Sequence, residues 1–137
     1  MSEANKELVR QALIDLWQDG NVNRIDEFCT PDFINHNVAA DRVQGIETEK
    51  RSILRFLAAF SNYQVLIEEL LVTEDKVILR GSWRGTHSGY FKDIAPTGKA
   101  VVVDEIAIFR LVDGKIAELW ASTDLLGLYR QLGVTML

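Results

Sequence analysis

Three side chains near the end of the chain, Trp120, Ser122 and Asp124, are spaced two residues apart. If a strand continues through them, all three point to one face, and the Asp124 carboxylate lies beside an indole. A carboxylate surrounded by apolar side chains loses hydration, so it becomes a better base for a carbon-bound proton next to a carbonyl. Asp is also a favoured helix N-cap, here for residues 125–132, and the spacing leaves both roles for Asp124 open.

Two histidines could bind a substrate oxygen or move a proton near neutral pH. His87 stands where a predicted strand runs into a long loop, and we expect it to be an auxiliary catalytic group. It could instead bond backbone groups and shape the turn within residues 85–89. His36 lies between predicted helices, where we expect a structural role, with substrate contact as the alternative.

Two adjacent acidic residues, Asp104 and Glu105, interrupt an otherwise apolar strand. Neighbours along a strand alternate between faces, so one of the two should point into the protein and one outward. Burial of an uncompensated carboxylate costs several kcal/mol, so the inward residue is paired, protonated or catalytic. The alternation does not decide between them; Asp104 is the one we include among the expected substrate contacts. Glu118 is expected to form an ion pair across the sheet with Arg80, Arg84 or Arg110.

The aromatic residues could line a pocket for a flat apolar ligand, although aromatic side chains are mostly ordinary core. Those expected to contact substrate are Phe33, Tyr63, Phe91 and Trp120. The two histidines lack metal-site spacing, so no metal is predicted. The sequence also lacks a glycine-rich phosphate loop, a Gly-x-Ser-x-Gly elbow and a dinucleotide fingerprint, which excludes several enzyme classes.

Length and composition fit one folded domain spanning residues 1–137. The chain is 47% hydrophobic and 26% charged, with a formal net charge of -5. This charge and the lack of a clustered basic surface argue against a nucleic-acid partner. The single cysteine, Cys29, allows no internal disulfide and favours a cytoplasmic setting. Neither a secretion signal nor an apolar run of membrane-spanning length is present, so no membrane association is expected.

Helices and strands must position these residues, and the apolar pattern of the chain changes from helical to strand spacing near Ser61. Apolar spacing of three and four predicts a first helix from Ala4 to Gly20, a short second helix through Phe28 and a third over about 46–60. A short irregular or extended piece is expected over Asp32–Val38. Two-residue alternation then predicts strands at about 63–73, 76–87, 99–112 and 115–123. Helices followed by strands indicate an α+β domain.

Four motifs occur in this framework: Gly-Thr-His-x-Gly-x-Phe at 85–91, Pro-Thr-Gly-Lys at 96–99, Asp-Gly-Lys-Ile at 113–116 and Glu-x-Trp-x-x-x-Asp at 118–124. With the element order, they make nearly the whole chain resemble the SnoaL-like polyketide cyclases, which belong to the nuclear transport factor two-like superfold. The resemblance implies a cone-shaped α+β barrel, with N-terminal helices packed on a curved antiparallel sheet around an apolar cavity. It also implies a homodimer through the sheet face, and Asp124 as the acid/base residue.

The function expected from this resemblance is cofactor-independent chemistry of the aldol or isomerase type on a small apolar carbonyl compound. No cofactor is needed in such a reaction, because neighbouring carbonyls delocalise the charge of the carbanion. The alternative is a protein of the same fold without catalytic activity, either a small-ligand carrier or a dimeric interaction domain. Sequence leaves open whether the protein is an enzyme, because this superfold hosts many functions.

Overall fold

Helices cover one side of the molecule, and the computed structural model describes residues 2–37 and 44–134. The helical segments are α1 (Ser2–Ala12), a π-helical continuation (Leu13–Gln18), a 3-10 helix (Val22–Glu27), α2 (Ile46–Ala59) and α3 (Leu125–Gln131). The three helices predicted before Ser61 are confirmed. Gly20 has a φ of 72°, the left-handed conformation expected after a helix. None of the helices in the described ranges has the length and apolar character needed to cross a membrane.

Five strands form one sheet in the order β1-β5-β4-β3-β2. They are β1 (Cys29–Asn35), β2 (Phe60–Thr73), β3 (Lys76–His87), β4 (Ala100–Val112) and β5 (Lys115–Thr123). The four predicted strands are β2 to β5, which pair in antiparallel fashion. The sheet is curved and unclosed, and helices pack against it, so the predicted α+β architecture is confirmed.

Strand β1 adds a parallel edge strand to the expected antiparallel sheet. It pairs with β5 in parallel, with Cys29 opposite Ile116 and Asn35 opposite Leu119. Pro31 lies within it, which is compatible with a strand only at the edge of a sheet, where β1 is found. The sequence analysis treated Thr30-Pro31 as a break and expected an irregular or extended piece after it. Val38, where that piece was expected to end, lies outside the described residues.

The alternation along β4 separates a buried face from a solvent-facing one. Val103, Ala107 and Phe109 are buried on the inner face, and Glu105 shares their parity. Asp104 belongs to the other set and is exposed. On β3, the residue opposite Glu105 is Gly81, where the backbone carbonyl of Leu66 on β2 comes too close to leave room for a side chain. The inward member of the acidic pair is therefore Glu105.

The loop between β3 and β4 is fixed to the end of α2. The backbone N–H groups of Ser88 and Gly89 both donate to the carbonyl oxygen of Ala59, at 3.0 and 3.1 Å. A Cβ atom at Gly89 would overlap the carbonyl oxygen of Ala58. Only glycine allows this close approach of two backbones.

Gly89→Ala should therefore lower the free energy of unfolding by about 1–3 kcal/mol, as overpacked substitutions do. Urea denaturation measures this effect. Ser88→Ala is the matched control at an exposed neighbouring position and should change the stability by less than about 0.5 kcal/mol. Equal stabilities of the two variants would contradict this close packing.

Candidate active site

A cavity of about 550 Å³ lies between the inner face of the sheet and the helical side. Most of its lining is apolar. The aromatic residues in its wall are Trp17, Phe56, Tyr63, Trp83, Phe91 and Phe109. Tyr63 stacks between two indoles, with ring centroids 5.8 Å from Trp17 and 5.0 Å from Trp83. The space therefore suits a flat, largely apolar molecule.

Glu105 lines the cavity on the sheet side. Its carboxyl group forms no salt bridge or hydrogen bond with any other residue that the structure describes, so nothing offsets the loss of hydration. Burial raises the pKa of Glu105 from 4.5 to about 7. Burial also raises the pKa of the neighbouring Tyr63 phenol, and the negative charge of Glu105 adds to this shift. Glu105 can therefore take up and release a proton near neutral pH, beside a phenol that stays protonated.

Glu49 is a second carboxyl group of the cavity, on the helical side. It lies in the first turn of α2, is only 5% exposed, and accepts a hydrogen bond from Asn35 Nδ2 at 2.9 Å. Burial raises the pKa of Glu49, and the bond from Asn35 partly opposes this shift. The sequence analysis missed Glu49. A signal was available, because Glu49 falls on the three-and-four spacing between Ile46 and Ile53, along the apolar stripe of the helix.

Two asparagines at and just after the end of β1, Asn35 and Asn37, line the cavity. The side chain of Asn37 donates to the carbonyl oxygen of Ala121 at 2.6 Å and accepts from the N–H of Ala121 at 2.8 Å. These two bonds extend the pairing of β1 with β5 by a side chain. They hold the chain beyond Asn35 against the cavity wall, which is also formed by Ala121.

Asp124 is the N-cap of α3. Its Oδ1 accepts a hydrogen bond from the Gly127 N–H at 2.9 Å, and its side chain is exposed. Asp124 does not contribute to the cavity wall, although its neighbours Thr123 and Leu125 do. The capping role that the sequence left open is thus observed. The acid/base role of Asp124 stays a prediction.

His87 is fully buried at the end of β3 and holds the loop that follows. Its Nδ1 accepts a hydrogen bond from the Thr97 N–H at 3.1 Å and lies 3.0 Å from the Thr97 hydroxyl. The ring lies beside Phe60 and outside the cavity lining. The loop-shaping alternative is therefore observed for His87, and an auxiliary catalytic role stays a prediction.

His36 and Trp120 lie together, away from the cavity lining. Their rings stack with centroids 4.7 Å apart, and His36 Nε2 lies 2.7 Å from the Glu118 carboxylate. Arg110 donates to the other oxygen of Glu118, which confirms the predicted cross-strand ion pair. Glu118 has a lowered pKa, because it is bonded to His36 and to Arg110. Trp120 and Asp124 were expected to lie side by side in one pocket, and neither of them lines the cavity.

The other expected substrate contacts divide between cavity, core and surface. Tyr63 and Phe91 lie in the cavity wall. Phe33 is buried in the main hydrophobic core, and Asp104 is exposed on the outer face of the sheet. Within residues 2–37 and 44–134, no group of three His, Cys, Asp or Glu side chains is arranged to hold a metal ion.

The chain matches one protein family over most of its length. The family model of the SnoaL-like polyketide cyclases matches residues 7–132, and the chain belongs to this family. It is 27% identical over 132 residues to the nogalonic acid methyl ester cyclase of Streptomyces nogalater, covering 88% of this chain and 92% of that protein.

Other relatives have comparable similarity. An aklanonic acid methyl ester cyclase of Streptomyces sp. strain C5 is 28% identical over 134 residues, covering 93% of this chain and 80% of the relative. The solved structure of TsrD from Streptomyces laurentii superimposes with a TM-score of 0.89 at 27% identity, covering 98% of this chain and 99% of that one. The likeness therefore extends over the whole domain.

The half-buried carboxyl of Glu105 should make stability depend on pH. Its pKa in the folded state lies above the value of 4.5 in the unfolded state, so stability is lost as pH rises from about 4.5 through about 7. Glu105→Gln removes this loss. It should raise the free energy of unfolding relative to the native protein by up to about 3 kcal/mol above neutral pH, and by much less in acid.

Urea denaturation at about pH 5 and about pH 8 measures this difference. Asp104→Asn is the matched control, because it makes the same chemical change one residue away on the solvent-facing side of β4. It should have the same effect on stability at both pH values. A Glu105→Gln effect that does not change with pH would show that this carboxyl is well hydrated.

Proposed function

We propose that the protein catalyses a cofactor-independent ring closure of a small polyketide-like carbonyl compound in its cavity, with Glu105 as the base. The observation that carries the proposal is the position of Glu105, half-buried in a cavity wall rich in aromatic side chains and without a cation partner in the described part of the chain. A carboxyl group with a pKa of about 7 is partly ionised at neutral pH, and its ionised form is a stronger base than an ordinary carboxylate.

The proposed reaction begins at a substrate carbon that lies between two carbonyl groups and carries an acidic proton. The ionised Glu105 takes the proton from this carbon, and the adjacent carbonyls delocalise the electron pair that remains. The carbanion attacks a second carbonyl carbon in an aldol step. A carbon–carbon bond forms, the carbonyl π bond breaks, and the oxygen must then receive a proton. A positioned group in the cavity wall can supply this proton as the carbon–carbon bond forms.

The shape of the cavity supports a polycyclic substrate. The stacked rings of Trp17, Tyr63 and Trp83 offer flat apolar surface, and offset stacking of aromatic rings is favourable beyond simple burial. The curated relatives act, by their names, on nogalonic and aklanonic acid methyl esters. We therefore propose a substrate of the same class, a neutral compound with several carbonyl groups.

We also propose that two copies associate through the outer face of the sheet. Large apolar side chains are exposed there, among them Leu71 at 52%, Val102 at 48% and Ile106 at 55%. The salt bridges of Arg80 with Glu69 and of Arg110 with Glu118 neutralise charges near them. A cytoplasmic setting is proposed as well, since the single Cys29 is a buried free thiol.

The dimer is tested by sedimentation at micromolar concentration. Ile106→Glu places a charge at the centre of the proposed interface and should convert the dimer to a monomer, because a buried unpaired carboxylate is costly. Leu54→Glu is the matched control, since Leu54 is exposed to a similar extent, at 48%, on α2. A native protein that sediments as a monomer would contradict the proposal.

Catalysis is tested with aklanonic acid methyl ester as substrate. Glu105→Gln has nearly the same shape and should reduce kcat by roughly 100-fold or more while binding is retained, because only the proton acceptor is lost. Native turnover with an unchanged Glu105→Gln variant would contradict the assignment of the base. Binding without any turnover by the native protein would favour a ligand carrier instead.

Two variants of Asp124 separate its predicted catalytic role from its cap. Asparagine is also a good N-cap, so Asp124→Asn keeps the bond to Gly127 and removes the charge, whereas Asp124→Ala removes both. If capping is the whole role, Asp124→Asn keeps full kcat and Asp124→Ala loses about 1 kcal/mol of stability. A large loss of kcat in Asp124→Asn would instead assign the acid/base role to Asp124.

A further inference from the structure

Glu49 is a buried carboxyl group of the cavity that takes no part in the proposed proton removal by Glu105. It belongs to the helical wall of the cavity, whereas Glu105 belongs to the sheet wall. A substrate in the cavity would therefore lie between two carboxyl groups on different elements. Glutamate in a first helical turn is usually a solvated surface residue, yet Glu49 is 95% buried while its neighbour Glu47 is exposed.

The two carboxyl oxygens of Glu49 have different environments. Oε1 accepts the hydrogen bond from Asn35 Nδ2, while Oε2 forms no bond with any residue that the structure describes. Because Glu49 lines the cavity, the oxygen without a partner among the described residues is the one available to a bound molecule.

The amide of Asn35 is itself oriented by its neighbours. Its Oδ1 accepts a hydrogen bond from the Asn37 N–H at 2.9 Å, which leaves Nδ2 to donate to Glu49. The backbone of Asn35 exchanges two further bonds with the Gln44 side chain, at 3.1 and 3.2 Å. Glu49 is thus held by a prearranged donor that fixes one oxygen and keeps the carboxyl plane in place.

No arginine or lysine within the described ranges forms a salt bridge with Glu49. A buried carboxyl without a cation partner favours its neutral form, since the charged form loses its hydration. The direction of its pKa agrees with this geometry. A neutral carboxyl group is a hydrogen-bond donor through its O–H, and here the free oxygen can carry that proton toward the cavity.

We propose that Glu49 is a second catalytic residue, a general acid whose Oε2–H donates to a carbonyl oxygen of the substrate and transfers its proton as the ring closes. This inference rests on the proposed function, in which that oxygen needs a proton. Glu105 gains one proton from carbon, and Glu49 gives one proton to the new alkoxide, which becomes a hydroxyl group. The two carboxyls then return to their starting states by exchange with water, so no other reactant is required.

The test compares three variants with aklanonic acid methyl ester as the probe. Glu49→Gln keeps an acceptor for Asn35 and a donor for the substrate but has no transferable proton, so kcat should fall roughly 100-fold while the Kd from calorimetry changes little. Glu49→Met should lose both kcat and affinity. Glu47→Gln makes the same change at an exposed site in the same helical turn and should behave like the native protein.

A readout independent of turnover is difference infrared spectroscopy at neutral pH. The native protein should have a carbonyl band of a protonated carboxyl group that is absent in Glu49→Gln, present in Glu105→Gln, and shifted when the probe binds. A missing band, an unshifted band or a native protein that does not bind the probe would overturn the role of Glu49. If Glu105→Gln keeps full turnover while the Glu49 band shifts as expected, only the assignment of Glu105 fails.

Discussion

The removal of two carboxyl groups from water is the constraint on which the rest of the structure depends. Glu49 is buried and Glu105 is half-buried, both without cation partners in the described part of the chain, so their loss of hydration favours protonation and opposes folding above neutral pH. A protein of this size has only a small net stability, so such groups persist only if packing elsewhere compensates. Here the compensation comes from a continuous core between α1, the 3-10 helix and the inner face of the sheet.

Several residues that resemble catalytic groups in the sequence instead hold this framework in place. His87 binds Thr97 and fixes the loop that brings Phe91 to the cavity. Asp124 begins α3, whose Leu128 is fully buried in a cluster that includes Trp83 and Phe91. A histidine and a carboxylate near a cavity can therefore hold its walls in place by hydrogen bonds to backbone N–H groups. Their positions matter to the site whether or not they contact the substrate.

Sequence predicted the architecture well because its signals are local. The helix periods, the strand alternation and the Asp113-Gly114 turn, in which both residues have positive φ, each depend on near neighbours. Alternation also reduced Asp104 and Glu105 to one inward residue, but only the folded sheet shows which face of β4 is buried. For β1 the sequence indicated only an irregular or extended piece, because Pro31 indicates a break. Glu49 was missed because its partner Asn35 is 14 residues away and belongs to that same strand.

The central claim is that Glu105 exchanges its proton near neutral pH inside the cavity. The most direct measurement is a pH titration of the glutamate carboxyl carbons by NMR in the native protein, with the Glu105 signal assigned by its loss in Glu105→Gln. The structure predicts a midpoint of about 7 for this signal. A midpoint near the ordinary value of 4.5 would mean that water reaches the carboxylate freely, and would contradict its role as the base of the cavity.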